Sequence, residues 1–241
     1  MTSRDSGTHR PVRSFVRRSG RMTPGQERAL DELWPRYGLD YRAEPLDLQT
    51  LFDRPAPIVL EIGFGNGETL VAQAEQRPGN NYLGIEVHEP GIGHCLMHAE
   101  AAGLDNLRVV CRDAVDVLQH QIPGNSLSRV NLFFPDPWPK KRHHKRRIVQ
   151  PAFLSLLADR LSVGGTLHIA TDWTDYAGHI DSVLASTGFF VLSERLEHTG
   201  DRALDRPTTR FERRGLSKGH RIVDWRLDVN KQQIQPPAGH G

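Results

Sequence analysis

The sequence predicts an α/β protein with a doubly wound, mostly parallel sheet of the Rossmann-like kind, and three observations predict it. Short apolar runs alternate with amphipathic stretches from residue 58 to residue 187, the pattern of strands covered by helices on both faces. A glycine-rich turn, Gly63-Phe64-Gly65-Asn66-Gly67, directly follows the first run. The apolar run at 130–134 ends in a corner, Pro135-Asp136-Pro137-Trp138, after which Lys140 to Arg147 holds six Lys/Arg and two His without an acid. Sites in open α/β sheets form at the carboxyl ends of strands. The corner therefore delivers a carboxylate, an aromatic ring and a cationic arm to a place where ligands bind.

Taken in order, residues 1–22 are a basic arm with no apolar period, expected to stay mobile until a partner is met, although Phe15 and Val16 can dock on the body. One domain is expected over 23–230, with 231–241 as a flexible tail. Its first helix is punctuated by Thr23 as N-cap, Pro24 at the first helical position and Gln26 at the capping-box position. Leu30, Leu33 and Trp34 form the apolar stripe, and Tyr37-Gly38 closes the helix. Residues 40–56, with Pro45, Pro55 and the adjoining Pro57, read as a lead-in. Strands are expected at 58–62, 82–87, 107–111, 130–134 and 166–170, and helices near 68–76, 92–102, 115–120 and 151–161. A last helix at 175–186 leads to a strand at 189–193, and the alternation at 222–229 is a final strand able to pair antiparallel beside it.

The net charge of +2 hides an uneven distribution. Residues 1–21 carry +5 and residues 140–147 carry +6, leaving −9 for the rest of the chain. Two basic blocks on an acidic body suit a phosphate-rich partner. Cys95 and Cys111 cannot build a disulfide framework and point to a reducing compartment. No apolar run approaches the roughly 20 residues of a membrane helix, and the N-terminus has no apolar core of a secretory signal. A cytoplasmic location is expected.

The glycine turn departs from the dinucleotide fingerprint, because Glu68 stands where the third glycine belongs and is a poor neighbour for pyrophosphate. A nicotinamide-dependent oxidoreductase is disfavoured. Glu61 inside the strand end, with Gly63 and Gly65, better suits a cofactor without phosphates and with a cationic tail, S-adenosylmethionine (AdoMet). Glu86 ends the second strand, where an acid accepts from ribose hydroxyls, and Asp113 ends the third, where a carboxylate can accept from the adenine amino group. Either acid can instead cap the helix that follows. His94 and His98, one helical turn apart, lack a third ligand, so no metal is expected.

These segments carry a resemblance. EIGFGNG at 61–67, GIEVH at 84–88, Asp113-Ala114, FFPDPWPKKRHHKRR at 133–147, ATDW at 170–173 and TRFERRG at 209–215 resemble, in order, the bacterial tRNA (guanine-N7-)-methyltransferase family. So does RSFVRRSGRMTPGQ at 13–26. Arg210 stands where lysine is common and Pro139 replaces a variable polar residue. The resemblance implies transfer of the AdoMet methyl group to guanine N7 in the tRNA variable loop, at position 46. It implies AdoMet contacts from Glu61, Glu86, Asp113 and Asp136, and tRNA contacts from Arg142, His143, His144, Lys145, Arg146 and Arg147. Substrate contacts are implied at Lys140, Asp172, Thr209, Arg210, Phe211 and Glu212, and a monomer or homodimer with no obligate protein partner and no membrane is expected.

Guanine N7 is already an unprotonated acceptor at neutral pH, so the transfer needs alignment and tolerance of a ring cation. Asp136 is expected to be the catalytic residue in that orienting and electrostatic sense. Trp138 can stack on a base or pack the corner. Asp172 can grip the base or cap a helix, and Thr209 with Glu212 forms a capping box that can also face the substrate. Two rivals remain at this point: methylation of an exocyclic amine, and an inactive RNA-binding protein on the same fold.

Overall fold

The computed structural model describes residues 21–48, 50–200 and 206–233. Most of the expected basic arm, with Phe15 and Val16, and residues 234–241 of the expected tail lie outside them. The elements in chain order are α1 (Pro24–Tyr37), β1 (Gly38–Leu39), β2 (Ile58–Ile62), α2 (Glu68–Gln76), β3 (Asn81–Glu86), α3 (Glu89–Ala101), β4 (Leu107–Cys111), α4 (Ala114–His120) and β5 (Leu127–Phe133). A 3-10 turn at Lys141–Arg146 follows, then α5 (Pro151–Arg160), β6 (Leu161–Thr171), α6 (Thr174–Thr187), β7 (Phe190–His198), α7 (Arg210–Leu216) and β8 (Ile222–Val229).

Eight strands form one sheet in the order β1-β4-β3-β2-β5-β6-β8-β7. Pairing is parallel from β1 to β6, and β8 lies antiparallel between β6 and β7. The expected fold class is the observed one. Leu70, Ile92 and Leu96 pack with Val59, Tyr82 and Val109 on one face, and Val117, Leu157 and Ile180 pack with Leu60, Val130 and Ile169 on the other. Burial on both faces explains why β2 is enclosed at every position, and makes Glu61 its one charged member.

Helix α1 carries the expected capping box, with Thr23 and Gln26 exchanging side-chain and backbone bonds. Its last turn docks on α3, where Arg36 and the Tyr37 hydroxyl both donate to Glu100 at 2.7 and 2.9 Å. Gly38 adopts an extended φ of −82° and opens β1 instead of ending the helix left-handed. This two-residue edge strand pairs with Val109 and Val110 and lies just before the span expected to be a lead-in, where no strand was expected.

A cluster of charge lies buried where the antiparallel end of the sheet meets α7. Arg206 donates from Nε to Asp224 at 3.0 Å and from Nη1 to Glu212. Asp224 also pairs with His168 Nε2 at 2.9 Å and with His198 Nε2 at 3.3 Å. The side chains of Arg206, Asp224 and Glu212 are at most 3% exposed. Burial acts against the Asp224 carboxylate, but the His168 hydrogen bond and Arg206 together hold its pKa well below the usual range. Burial likewise pushes the His168 imidazole below its ordinary value.

Removing Arg206 strands two buried carboxylates, a change that costs about 3–5 kcal/mol. Arg206→Met is therefore expected to lower the urea unfolding free energy by that amount. Arg213→Ala breaks an exposed pair with Glu68 (2.8 Å) and is expected to cost less than about 1 kcal/mol. Equal losses in the two variants would contradict this account.

Candidate active site

The parallel pairing of β2 with β3 on one side and β5 on the other makes a crevice at their carboxyl ends. The glycine turn leaves β2 there. Gly63 donates to the Ile85 carbonyl at 2.8 Å, and Gly65 donates to Glu86 Oε2 at 2.8 Å. Both adopt positive φ, +71° and +59°. A Cβ on Gly63 would meet nothing within 4 Å, and one on Gly65 only the Phe211 ring at 3.9 Å. The turn thus presents bare backbone to the crevice, which is what close approach of a ligand requires.

Glu86 holds this turn in place. Its Oε1 accepts from the backbone of Val87 (2.6 Å) and His88 (3.1 Å), while its Oε2 takes Gly65. His88 in turn caps α3 through Nδ1, accepting from Gly91 at 3.3 Å.

Glu61 is only 2% exposed. Gln73 donates to it at 3.2 Å, and Asn131 orients Gln73 by donating to its carbonyl at 3.2 Å. Burial pushes the Glu61 carboxyl up to about 8, against the pull of Arg206 and the Gln73 hydrogen bond. A carboxyl held this way takes its charge when a cation arrives beside it.

The proline corner leaves β5 under backbone strain. Phe134 and Trp138 have φ of +52° and +44°, a region that side chains with a Cβ seldom enter. Phe134 is fixed by its hydrogen bond to the Ala170 carbonyl at 2.8 Å. Trp138 packs within the corner, edge-on to His143 (ring centroids 5.7 Å) and beneath the Arg146 guanidinium (4.9 Å). The arm itself is the 3-10 turn. Lys140, Lys141, Arg142 and Lys145 are exposed, and His143, His144 and Arg146 half-buried. Loss of solvent, then Arg142, Arg146, Lys140 and Lys145, hold the His143 imidazole below its usual value.

Arg147 stands apart from the arm it belongs to in sequence. It is buried, donates to the Pro137 carbonyl at 3.0 Å and to Asp175, and lies over the Tyr176 ring. It fastens the corner.

On α7 the capping box is present: Glu212 N–H donates to Thr209 Oγ1 at 2.9 Å, and Thr209 N–H to Glu212 at 3.4 Å. Thr209 and Glu212 are buried, whereas Arg210 and Phe211 are exposed. Arg206 stacks on Phe133 and Phe134 at 5.0 and 5.8 Å, joining α7 to the end of β5.

The crevice has two lobes of about 390 and 360 Å³ that share Gly63, Gly65, His88, Phe133, Phe134 and Phe211. Glu61, Thr69, Thr209, Arg210 and Arg214 line the first, and Glu86, Arg112, Ala114, Pro135 and Asp136 the second. The fold therefore brings Glu61, Glu86, Asp136 and the Thr209-Arg210-Phe211 segment to one space. Asp113 is the N-cap of α4, accepting from Val115 at 2.9 Å. Asp172 does not cap α6, whose N-cap is Trp173; its carboxylate pairs with His220 Nδ1 at 3.0 Å. Sequence reasoning passed over His88, Arg206 and Arg214. His88 sits inside a quoted motif, so its cap position was available, but the partners of Arg206 lie on distant strands.

A family model described as a putative methyltransferase matches residues 55–225. The tRNA (guanine-N(7)-)-methyltransferase of Halorhodospira halophila is 57% identical over 222 residues, covering 89% of this chain and 94% of that protein. The one from Aeromonas hydrophila is 54% identical over 215 residues, covering 89% and 91%. Among solved structures, an antibiotic-related methyltransferase aligns with a TM-score of 0.54 at 16% identity, covering 79% of this chain and 94% of that one, a likeness of fold alone. Matched over 89% of its length at more than half identity, the chain belongs to the tRNA (guanine-N(7)-)-methyltransferase family.

Proposed function

We propose that the protein transfers the methyl group of AdoMet to N7 of a guanine in the tRNA variable loop, at position 46, giving 7-methylguanosine. The observation that carries this reading is one crevice in which Glu61, Glu86 and Asp136 converge around a bare glycine turn, beside an exposed basic arm. The residues present fit the cofactor: open backbone at Gly63, a buried carboxyl at Glu61 that suits a cation, and Glu86 at a strand end for a ribose. Asp113 stands at the next strand end, for the adenine amino group.

AdoMet, when bound, supplies an electrophilic methyl on a positively charged sulfur. Asp136 accepts from the donor edge of guanine, which aligns N7, and its charge offsets the cation that develops on the ring. No side chain has to remove a proton before transfer. Phe211, exposed at the seam of the two lobes, gives the base a ring to stack on, and Lys140, Asp172 and Thr209 complete the substrate side, with the buried Glu212 fixing the turn that carries Thr209 and Phe211. Arg142, His143, His144, Lys145 and Arg146 meet RNA phosphates, positioning the substrate without reading its sequence. Arg147, in this reading, serves RNA binding by holding the arm's root. All these groups come from one chain, so a monomer suffices. Among the described residues no helix is long and apolar enough to cross a membrane, and we place the reaction in the cytoplasm, where tRNA and free thiols coexist.

Three outcomes are expected. With labelled AdoMet and unmodified tRNA, N7-sensitive strand scission should map one mark to the variable loop, and Asp136→Ala should lose most turnover with AdoMet affinity much less affected. Label without scission would move the reading to amine methylation. AdoMet binding without transfer to tRNA would leave an RNA-binding protein. Replacing Lys141, Arg142 and Lys145 by Ala should weaken tRNA binding and flatten its salt dependence by about one unit of slope for each phosphate no longer neutralised. An unchanged slope would remove the arm from the phosphates.

The third concerns pH. Burial raises the Glu61 pKa from 4.5 to about 8, so the folded protein keeps a proton there at pH 7 that the unfolded chain lacks. The folded state is accordingly less favoured as pH climbs from about 4.5 to about 8. A bound cation reverses the preference. AdoMet affinity should rise with pH up to about 8, and binding at pH 7 should release a proton, read by calorimetry in buffers of different ionisation enthalpy. Glu61→Gln should abolish the release; a heat independent of buffer in the wild type would refute the assignment.

A further inference from the structure

The first lobe of the crevice is lined by charges of both signs. Glu61 supplies a carboxyl, and Arg210 and Arg214 supply two guanidinium groups from α7. The other acid lining it, Glu68, is engaged by Arg213 at 2.8 Å. Arg213 is further tied to the Thr208 carbonyl at 2.9 Å. The side chains of Arg210 and Arg214 make no hydrogen bond or ion pair among the described residues, and both residues are exposed. Four positions apart, they lie on one side of the helix. In the second lobe the carboxylates are Glu86 and Asp136, and its one arginine, Arg112, is paired with Asp116 at 2.8 Å.

A zwitterion has one favourable orientation across these two lobes. Its ammonium belongs by Glu61, and its carboxylate would be repelled by Glu86 and Asp136 but matched by a guanidinium fork. Resting on the reading of AdoMet as the methyl donor, we propose that Arg210 and Arg214 bind the carboxylate of its amino-acid end, which makes α7 a cofactor-binding element. The nucleoside end then lies toward Glu86. The helix that carries Phe211 to the seam of the crevice is thereby drawn onto the cofactor, and the substrate side of the site is completed when the donor is in place.

The test compares AdoMet with decarboxylated AdoMet, which keeps the ammonium and sulfonium and lacks the carboxylate. Binding is measured by calorimetry to the full-length wild type, to Arg210→Ala, to Arg214→Ala and to the double variant, with circular dichroism as the check on folding. The wild type is expected to prefer AdoMet by about tenfold or more, the scale of charge-assisted hydrogen bonds. The double variant is expected to lose that preference by weakening toward AdoMet alone. Equal affinity of the wild type for the two molecules would overturn the proposal. So would a preference that survives in the double variant while tRNA affinity falls with a shallower salt slope, which would make the two arginines phosphate contacts. Failure of the wild type to bind either molecule would overturn the AdoMet reading itself, and the proposal with it.

Discussion

Strands β2 and β5 run side by side in parallel from the Val59–Arg129 pair to the Ile62–Leu132 pair, and the rest of the site depends on that contact. From β2 the sheet grows outward through β3 and β4, then returns to the other flank of β2 for β5 and β6. Only at this reversal do two strand ends open into a crevice instead of being crossed by a connection. The glycine turn and the proline corner, about 70 residues apart in the chain, become neighbours for that reason. Neither has a role without the other, since the turn offers backbone and the corner offers charge.

Charge beneath the crevice is balanced by placement, not by solvent. Glu61 meets one amide and a distant guanidinium, and so retains its proton to about pH 8. Arg206 is the common member of both buried systems: it acts on Glu61 through space, binds Asp224 and Glu212 directly, and stacks on Phe133 and Phe134. The same guanidinium thus stabilises the antiparallel end of the sheet, the start of α7 and the end of β5. A change in its surroundings reaches three walls of the site, which is why its loss is costly although it lies behind Phe133 and Phe134.

Where function or structure was written into a few consecutive residues, the sequence could be read. The Thr23 and Thr209 capping boxes, the strands at 58–62, 107–111 and 222–229 and the helix at 68–76 all rest on local spacing, and each appears in the structure with those bounds or that bonding. Strand β6 begins five residues earlier than its apolar run, because Leu161 pairs with Leu127 across an irregular register that the Gly164-Gly165 pair conceals. β7 extends to His198 through charged residues that its edge position allows. Asp172 reads as a base contact or a helix cap; it does not cap, and its partner His220 is 48 positions away. The buried cluster was illegible for the same reason, since His168, His198, Arg206 and Asp224 come from four segments and none is preceded by a motif. Local pattern reports backbone; partners of buried charge are set by topology.

Arg147 shows how far this distinction goes within a single run of cations. Six basic residues look alike in sequence, but the chain needs two incompatible things from them. Phe134 and Trp138 hold left-handed backbone, each at a cost of order 1–3 kcal/mol, so something must over-determine the corner. Arg147 does so from the buried side, with its guanidinium on the Pro137 carbonyl and Asp175, and Tyr176 packed beneath it. Lys140, Lys141, Arg142 and Lys145 are then left exposed on a rigid root. Asp136 lies between the two strained residues, so its backbone is pinned on one side by the Phe134 bond to Ala170 and on the other by the Arg147 bond to Pro137.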